Sequence, residues 1–201
     1  MKKKRPFSPL QLLVHLLSWL PLLLLLWDYG QGQLGLNPIR AITLRTGKAA
    51  LILLLLSLTV TPLVIFTNKA WLYQFRRPLG LYAFLYATLH LLTFVGLDYS
   101  FDWELVIEAL RTNRFIFFGL ASLLIMIPLA LTSPHAMRLK MGNQRWRKLH
   151  RWVYLAAILA IIHYALLVRQ YYTQPIIFGA ILLVLLAIRL IPAIAKRRRS
   201  A

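Results

Sequence analysis

The chain has 201 residues, of which 60% are hydrophobic and 14% are charged, and its formal net charge is +19. A soluble protein of this length carries far more polar residues, so the composition indicates a membrane protein, and nucleic-acid binding is not favoured because the basic residues stand in short blocks between apolar runs. The absence of cysteine excludes disulfides, covalent haem attachment, cysteine-ligated iron–sulfur clusters and thiolate zinc sites.

Six apolar runs follow one another along the chain, and each has about the 17–25 residues that a helix needs to cross a bilayer. Their length and their lack of period-two alternation favour helices over strands. The first run contains Pro21 and is long for a signal-peptide core, so we expect a retained span. Short connections predict one all-α domain over residues 1–201, a six-helix bundle with antiparallel neighbours. The predicted spans are approximately residues 10–27, 49–66, 79–97, 115–131, 152–168 and 176–195.

The basic residues predict the orientation of this bundle. With the N-terminus in the cytoplasm, the cytoplasmic segments hold 17 Lys and Arg residues and the opposite side holds 6, with Arg189 inside the last span. Such a bias places both termini in the cytoplasm. The acidic residues all fall on the outer side and give it a different chemical character: Asp28, Asp98, Asp102, Glu104 and Glu108.

Two histidines lie inside predicted spans at similar depths. His90 is in the outward half of the third span and His163 in the outward half of the fifth. Both spans run from inside to outside, so the two imidazoles can meet if these helices are neighbours. Nearby small residues leave room between the helices: Ala83, Ala87, Ala156, Ala157 and Ala160. Two opposed imidazoles suit a b-type haem iron, although hydrogen bonds to other helices remain an alternative for each ring.

His150 precedes His163 by 13 residues, an axial rise of about 20 Å along a helix. The same spacing rotates an ideal helix by about 220°, so the two rings would not share a face. The third span offers Arg76 and Arg77, not a second histidine, at the corresponding depth. A second bis-histidine haem is therefore not supported, and His150 stays open between a ligand and a hydrogen-bonding or propionate-contacting residue. Arg76 and Arg77 are either positive-inside anchors or contacts to haem propionates or a flavin phosphate.

Three stretches carry a resemblance to a known family: TGKAALILLLLSLTVTPL, RRPLGLYAFLYATLHLLTF and TSPHAMRLKMGNQRWRKLHRWVYLAAILAIIHY. Over essentially its whole length the chain resembles the MsrQ family, the haem-binding membrane subunits of bacterial methionine sulfoxide reductase systems. That family belongs to the ferric-reductase-like transmembrane superfamily. The combination of GKAAL, ATLH, and LH followed by VY and IHY is specific, whereas no single piece would be.

The resemblance implies one b-type haem, a bound FMN and a multi-pass protein of the bacterial inner membrane. It implies that electrons pass from the quinone pool or a cytoplasmic flavin reductase to the periplasmic molybdopterin subunit MsrP, which repairs oxidised proteins. The haem-associated histidines of the family fall on His90, His150 and His163, and the fourth histidine of the wider superfamily is missing here.

The chain has no thiol and no evident molybdenum site, so we expect an electron-transfer subunit that does not itself reduce methionine sulfoxide. We expect the partner to dock on the outer loops, residues 28–46 and 98–114. The main alternative is a small proton-coupled transporter that uses the intramembrane histidines, but such relays often need paired intramembrane carboxylates, which the chain lacks. A cofactor-free membrane adaptor is a third hypothesis.

Overall fold

The computed structural model describes residues 8–168 and 172–199. The regular elements of this part of the chain are all helical. In chain order they are α1 (Pro9–Gly30), α2 (Pro38–Thr67), a 3-10 helix (Ala70–Phe75), α3 (Arg76–Leu92), a π-helical turn (Thr93–Asp98), α4 (Trp103–Thr112), α5 (Arg114–Leu131), α6 (His135–Met141), α7 (Asn143–His150), α8 (Val153–Leu167) and α9 (Thr173–Arg199).

The all-α membrane class expected from the sequence is confirmed at the level of helices. Within the described residues, five helical stretches are long and apolar enough to cross a membrane. The sixth predicted run falls in α9, whose apolar part Thr173–Arg189 is shorter. The five are Pro9–Gly30, Pro38–Thr67, Ala70–Asp98, Arg114–Leu131 and Asn143–Leu167.

Local capping signals place the helix ends beyond the apolar runs. The Ser8 hydroxyl accepts from the Gln11 backbone N–H while the Gln11 side chain bonds back to Ser8, a capping box that starts α1. The Asn37 side chain caps α2, and Asn68, with φ 54°, ends it in a left-handed conformation. The predicted span 49–66 covers only the C-terminal part of α2, whose helix begins at Pro38.

The two outer loops expected from the sequence are therefore largely helical. The segment 28–46 contains the end of α1 and the start of α2, and the segment 98–114 contains α4. Asp102 begins α4 because its carboxylate accepts the backbone N–H groups of Glu104 and Leu105. Hydropathy did not predict α4, because an amphipathic helix of ten residues has no long apolar run.

The bundle contains two antiparallel helix pairs, α2 with α3 and α5 with α8. The Ser57 hydroxyl bonds to the Arg76 carbonyl within the first pair, and the Ser122 hydroxyl bonds to the Ala156 carbonyl within the second. Small residues let helices approach closely in a membrane, where water exclusion between lipid-facing surfaces gives no driving force. The alanines Ala83, Ala156 and Ala157 are accordingly fully buried and serve helix packing.

A tyrosine hydroxyl fastens α1 to α3. The Tyr86 hydroxyl, which is buried, donates to the Ser18 carbonyl at 2.8 Å and accepts from the Leu22 backbone N–H at 3.0 Å. It thus stands between two groups that would bond directly in a regular helix, next to Pro21. Nearby, His15 Nδ1 lies 3.0 Å from the Tyr82 hydroxyl, a second polar link between these helices.

Arg189 links α9 to α2 and α8 at the end of the bundle where α3 begins, which is called the inner end. Proline has no backbone N–H, so Pro62 leaves the Leu58 carbonyl of α2 without its intrahelical donor. The Arg189 guanidinium donates to this carbonyl and, at 2.6 Å, to the Tyr154 hydroxyl. The charged residue inside the last apolar run thus satisfies a backbone group that the proline exposes.

Candidate functional site

His90 lies near the C-terminal end of α3, two residues before the helix ends; this end of the bundle, which also holds α4, is called the outer end. Its Nδ1 is 2.8 Å from the backbone carbonyl oxygen of Thr43 on α2. A carbonyl only accepts hydrogen bonds, so Nδ1 carries the proton and donates it. Nε2 then holds a free lone pair, and within the described residues it accepts no hydrogen bond. A π-helical turn follows directly after α3, a feature that is frequent at functional sites.

His163 has the same arrangement on the other helix pair. It lies near the outer end of α8, and its Nδ1 is 2.7 Å from the carbonyl oxygen of Phe115 on α5. The same reasoning makes Nδ1 the donor and leaves Nε2 unprotonated. This tautomer, with the proton held by a backbone carbonyl, is the one that metal-binding histidines commonly have.

The two rings lie close together between the helix pairs. The ring centroids of His90 and His163 are 5.9 Å apart and the ring planes are inclined by 80°. The side chains are only partly buried, as are Ala87 and Ala160, which precede the histidines by three residues on their own helices. The structure thus brings together the two histidines that the sequence placed at matching depths, with small side chains one helical turn inward of each.

The separation of the two rings is close to that expected for one iron held between two imidazoles. A metal–imidazole bond is about 2 Å long, so two rings bound to opposite sides of one metal have centroids about 6 Å apart. Among the residues that the structure describes, neither Nε2 takes part in a hydrogen bond, so both could bind a metal. Among the described residues no cluster of three or more His, Asp or Glu side chains is present for a bare metal ion. A porphyrin brings four nitrogen ligands of its own, so two imidazoles are sufficient for haem.

His150 is not part of this pair and has a different environment. The Thr132 hydroxyl lies 2.6 Å from the Pro128 carbonyl and 3.1 Å from His150 Nε2. Since the hydroxyl has one proton and the carbonyl must receive it, Nε2 of His150 is the protonated donor to Thr132. Trp146 stacks on the ring, with centroids 3.9 Å apart and planes inclined by 24°, and its indole N–H bonds to the Thr132 carbonyl.

The helix carrying His150 also differs from the ideal helix assumed in the sequence analysis. α7 ends at His150, two residues in a turn follow, and α8 begins at Val153. The rotation of about 220° was predicted for one continuous helix. It therefore does not apply between His150 and His163, which lie on two helices. Hydropathy could not reveal this break because it lies in a basic segment between apolar residues.

The two arginines opening α3 lie at the inner end of the bundle. Arg77 donates from Nε to the Ser133 hydroxyl at 3.2 Å. Arg76 is partly buried and near enough to His150 and Arg189 to interact with both electrostatically. The charged side chains that the structure describes at this end are cationic, whereas the carboxylates lie at the opposite end. Such an end suits an anionic group, which is one of the two interpretations that the sequence left open for Arg76 and Arg77.

Several groups of this site had no sequence signal. The acceptors at Thr43 and Phe115 are backbone carbonyls, and every residue has one, so only the packing of helices selects them. The contacts of His150 with Thr132 and Trp146 also depend on where α5 ends. The Trp146–His150 spacing of four residues was the one feature that could have indicated a stacked pair on one helix face.

Comparison with known proteins identifies a family and several relatives. Residues 46–161 match the family described as the ferric reductase like transmembrane component. The match includes His90 and His150 and ends two residues before His163.

Relatives cover nearly the whole chain and are named protein-methionine-sulfoxide reductase heme-binding subunit MsrQ. The protein of Rhodospirillum rubrum is 44% identical over 181 residues, which is 88% of this chain and 86% of the relative. That of Caulobacter vibrioides is 40% identical over 189 residues, covering 92% and 90%. That of Pectobacterium carotovorum is 42% identical over 181 residues, covering 90% of each.

Proposed function

Because the chain belongs to the ferric-reductase-like transmembrane family and, within it, to the MsrQ haem-binding subunits, we propose that His90 and His163 hold a b-type haem in a transmembrane electron-transfer protein. The observation that carries the proposal is the His90–His163 pair, with Nδ1 of each ring bonded to a carbonyl and Nε2 of each ring free. A haem supplies reversible one-electron chemistry between ferric and ferrous iron.

The residues of the chain have defined tasks in this proposal. The carbonyls of Thr43 and Phe115 fix the tautomer and orientation of His90 and His163 and raise the basicity of their Nε2 atoms. The apolar helices around the pair keep water away and lower the local dielectric constant, which contributes to the reduction potential. His150 has its Nε2 occupied and is not assigned to this iron.

The proposed topology has six crossings of the bacterial inner membrane, with both termini in the cytoplasm. Its support is the charge bias between the two sides of the chain and the apolar part of α9. The histidine pair then lies toward the periplasmic side, close to where electrons leave the protein. Electrons enter from the quinone pool or from a cytoplasmic flavin reductase. The cationic inner end, with Arg76 and Arg77, is our candidate contact for an FMN phosphate or haem propionates.

The proposed acceptor is a periplasmic molybdopterin reductase of the MsrP type, and α4 is its proposed docking surface. Val106 and Ala109 are buried and fasten α4 to the bundle, while Glu104 and Glu108 are exposed on another face, four residues apart. Exposed carboxylates on the outer side steer a partner with a basic patch and chiefly affect its association rate. This chain then delivers electrons, and the partner reduces methionine sulfoxide.

The test of the haem assignment is an optical spectrum of protein purified from haem-replete cells, with haem quantified per chain. We expect a six-coordinate low-spin b-type spectrum with one haem per chain. His90→Ala should lower the haem content at least about tenfold, because an axial ligand is lost. His135→Ala is the matched control, since His135 is exposed at the start of α6. Normal haem loading of His90→Ala would refute the assignment.

The same spectrum separates electron transfer from the transporter hypothesis. A proton-coupled transporter needs no haem, so purified wild-type protein without Soret absorption after haem-replete expression would favour it. An adaptor without cofactor would instead keep full cellular activity when both His90 and His163 are replaced by alanine.

The docking proposal has its own experiment. Asp102 caps α4, so its substitution would mix helix stability with charge, and Glu104 and Glu108 are the better pair. Glu104→Lys with Glu108→Lys should slow electron delivery to the purified partner, most strongly at low salt, and leave haem content unchanged. Glu104→Gln with Glu108→Gln should have a smaller effect. Unchanged delivery in the lysine variant would exclude this surface.

A further inference from the structure

Both histidines of the outer pair lie against a glycine of the neighbouring helix. A Cβ atom added at Gly47 of α2 would come within 3.0 Å of Cε1 and Nδ1 of His90. A Cβ added at Gly119 of α5 would be 2.7 Å from Nδ1 and 2.9 Å from Cε1 of His163. Real Cβ atoms essentially never show contacts below 3.0 Å, so the His163 ring must shift beside an alanine at position 119, and beside an alanine at position 47 the His90 ring must give by a few tenths of an ångström.

The two glycines occupy the same place relative to the hydrogen-bond acceptors. Gly47 follows Thr43 by four residues, and Gly119 follows Phe115 by four residues. In an α-helix the Cβ of residue i+4 points back toward residue i on the same face. A side chain at i+4 would therefore cover the carbonyl that the imidazole uses, and glycine leaves it open.

The histidine helices repeat as well. His90 is preceded by Ala87 and Ala83, and His163 by Ala160 and Ala156, at three and seven residues in both cases. The pair α2–α3 and the pair α5–α8 are thus two copies of one local arrangement: a carbonyl and a glycine one turn apart on one helix, and an alanine-flanked histidine on its antiparallel partner. No overall sequence repeat announces this duplication.

We infer that Gly47 and Gly119 are positioning residues that set the rotation of the two imidazole rings about their axial direction. Each glycine lets the Nδ1–Cε1 edge of one ring approach a helix backbone, where its Nδ1–H is held by one carbonyl. The two supporting helices together fix the inclination of 80° between the ring planes. The inference rests on the proposed haem ligation and adds to it which residues determine ligand orientation.

Orientation has a spectroscopic consequence that haem content alone does not report. Ferric haems whose axial imidazole planes are nearly perpendicular give a highly anisotropic low-spin EPR signal, whereas parallel planes give a rhombic signal. The wild-type protein should give the anisotropic type. Ring rotation also changes the overlap of ligand and iron orbitals, so the midpoint potential should shift when a glycine is replaced.

The experiment compares Gly47→Ala and Gly119→Ala with Gly179→Ala in purified, haem-loaded protein. Gly179 is the matched control because a Cβ there would meet only Ile161, at the ordinary contact distance of 3.9 Å. We expect both test variants to change the EPR signal and the midpoint potential and to lower haem affinity about tenfold, the usual effect of losing a group that supports a ligand. The control should match wild type in all three.

A second measurement covers the case in which a test variant folds poorly. Alanine favours helix over glycine, so Gly119→Ala should stabilise the chain once the clashing ring is removed. Thermal unfolding is therefore compared for Gly119→Ala and for Gly119→Ala with His163→Ala, each against its parent. We expect a lower transition temperature with His163 present and an unchanged or higher one with His163 absent, which requires no bound haem.

The outcomes separate this inference from the proposed function. A wild-type protein without haem, or one that keeps its haem after loss of His90, contradicts the proposed function. Haem bound through His90 and His163 with wild-type EPR and potential in both glycine variants contradicts the positioning inference alone. An equal destabilisation by Gly119→Ala with and without the His163 ring also contradicts it, because the clash would then lie elsewhere.

Discussion

Histidines at the outer and inner ends of the bundle hydrogen-bond to neighbouring helices, but they do so through different ring nitrogens. At the outer end, His90 and His163 donate from Nδ1 to backbone carbonyls, which leaves two Nε2 lone pairs. At the inner end, His150 donates from Nε2 to a threonine hydroxyl and is covered on one face by Trp146. Burial in a helical bundle does not by itself make a histidine a metal ligand. The partner of the other nitrogen decides which atom is left for a metal.

The largest expected difference follows from replacing one histidine at each end. His163→Ala should lower haem per chain at least about tenfold, because it removes an axial ligand. His150→Ala should keep haem per chain within about twofold, since this ring is already engaged by protein groups. Haem quantitation of the two purified variants measures both. A loss of haem in His150→Ala as large as that in His163→Ala would remove the distinction between the two ends.

The next largest effect concerns stability at the inner end. Arg189→Leu leaves the Leu58 carbonyl without a donor, which should lower the free energy of unfolding by about 2 kcal/mol. In a Pro62→Ala background α2 supplies its own N–H to that carbonyl, so the same substitution should cost less. A double-mutant cycle measured by unfolding in detergent gives the coupling between Arg189 and Pro62. Full additivity of the two substitutions would show that Arg189 does not compensate for the proline.

The smallest expected effect on haem content is that of Thr132→Val, which tests the tautomer assigned to His150. Thr132→Val removes the acceptor of His150 without touching the outer pair, so haem content should change by less than about twofold. In wild-type protein labelled with nitrogen-15 at histidine, NMR should report protonated Nε2 at His150 and protonated Nδ1 at His90 and His163. In Thr132→Val only the His150 signals should move. An Nδ1-protonated His150 in the wild type would contradict the difference described between the ends.

The helical membrane class can be predicted from sequence alone, because apolar runs of bilayer length depend only on composition and spacing. The sequence also predicts that His90 and His163 lie at one depth, since depth along a helix is a count of residues. Recognition of the family was equally available, from three long stretches of matching residues. These conclusions need no knowledge of which helices touch.

The features that depend on contact between helices become visible only in the folded protein. Helix packing brings the carbonyls of Thr43 and Phe115 within hydrogen-bond distance of the two imidazoles and so determines which ring nitrogen is protonated. It also brings Gly47 and Gly119 against the two rings, a contact that a glycine in an apolar run does not predict. Packing of α9 also places the Arg189 guanidinium against the Leu58 carbonyl and the Tyr154 hydroxyl. Every residue has a backbone carbonyl, and a glycine in an apolar run looks the same wherever it lies. Their role depends on which helix packs against them, and the sequence does not show this packing.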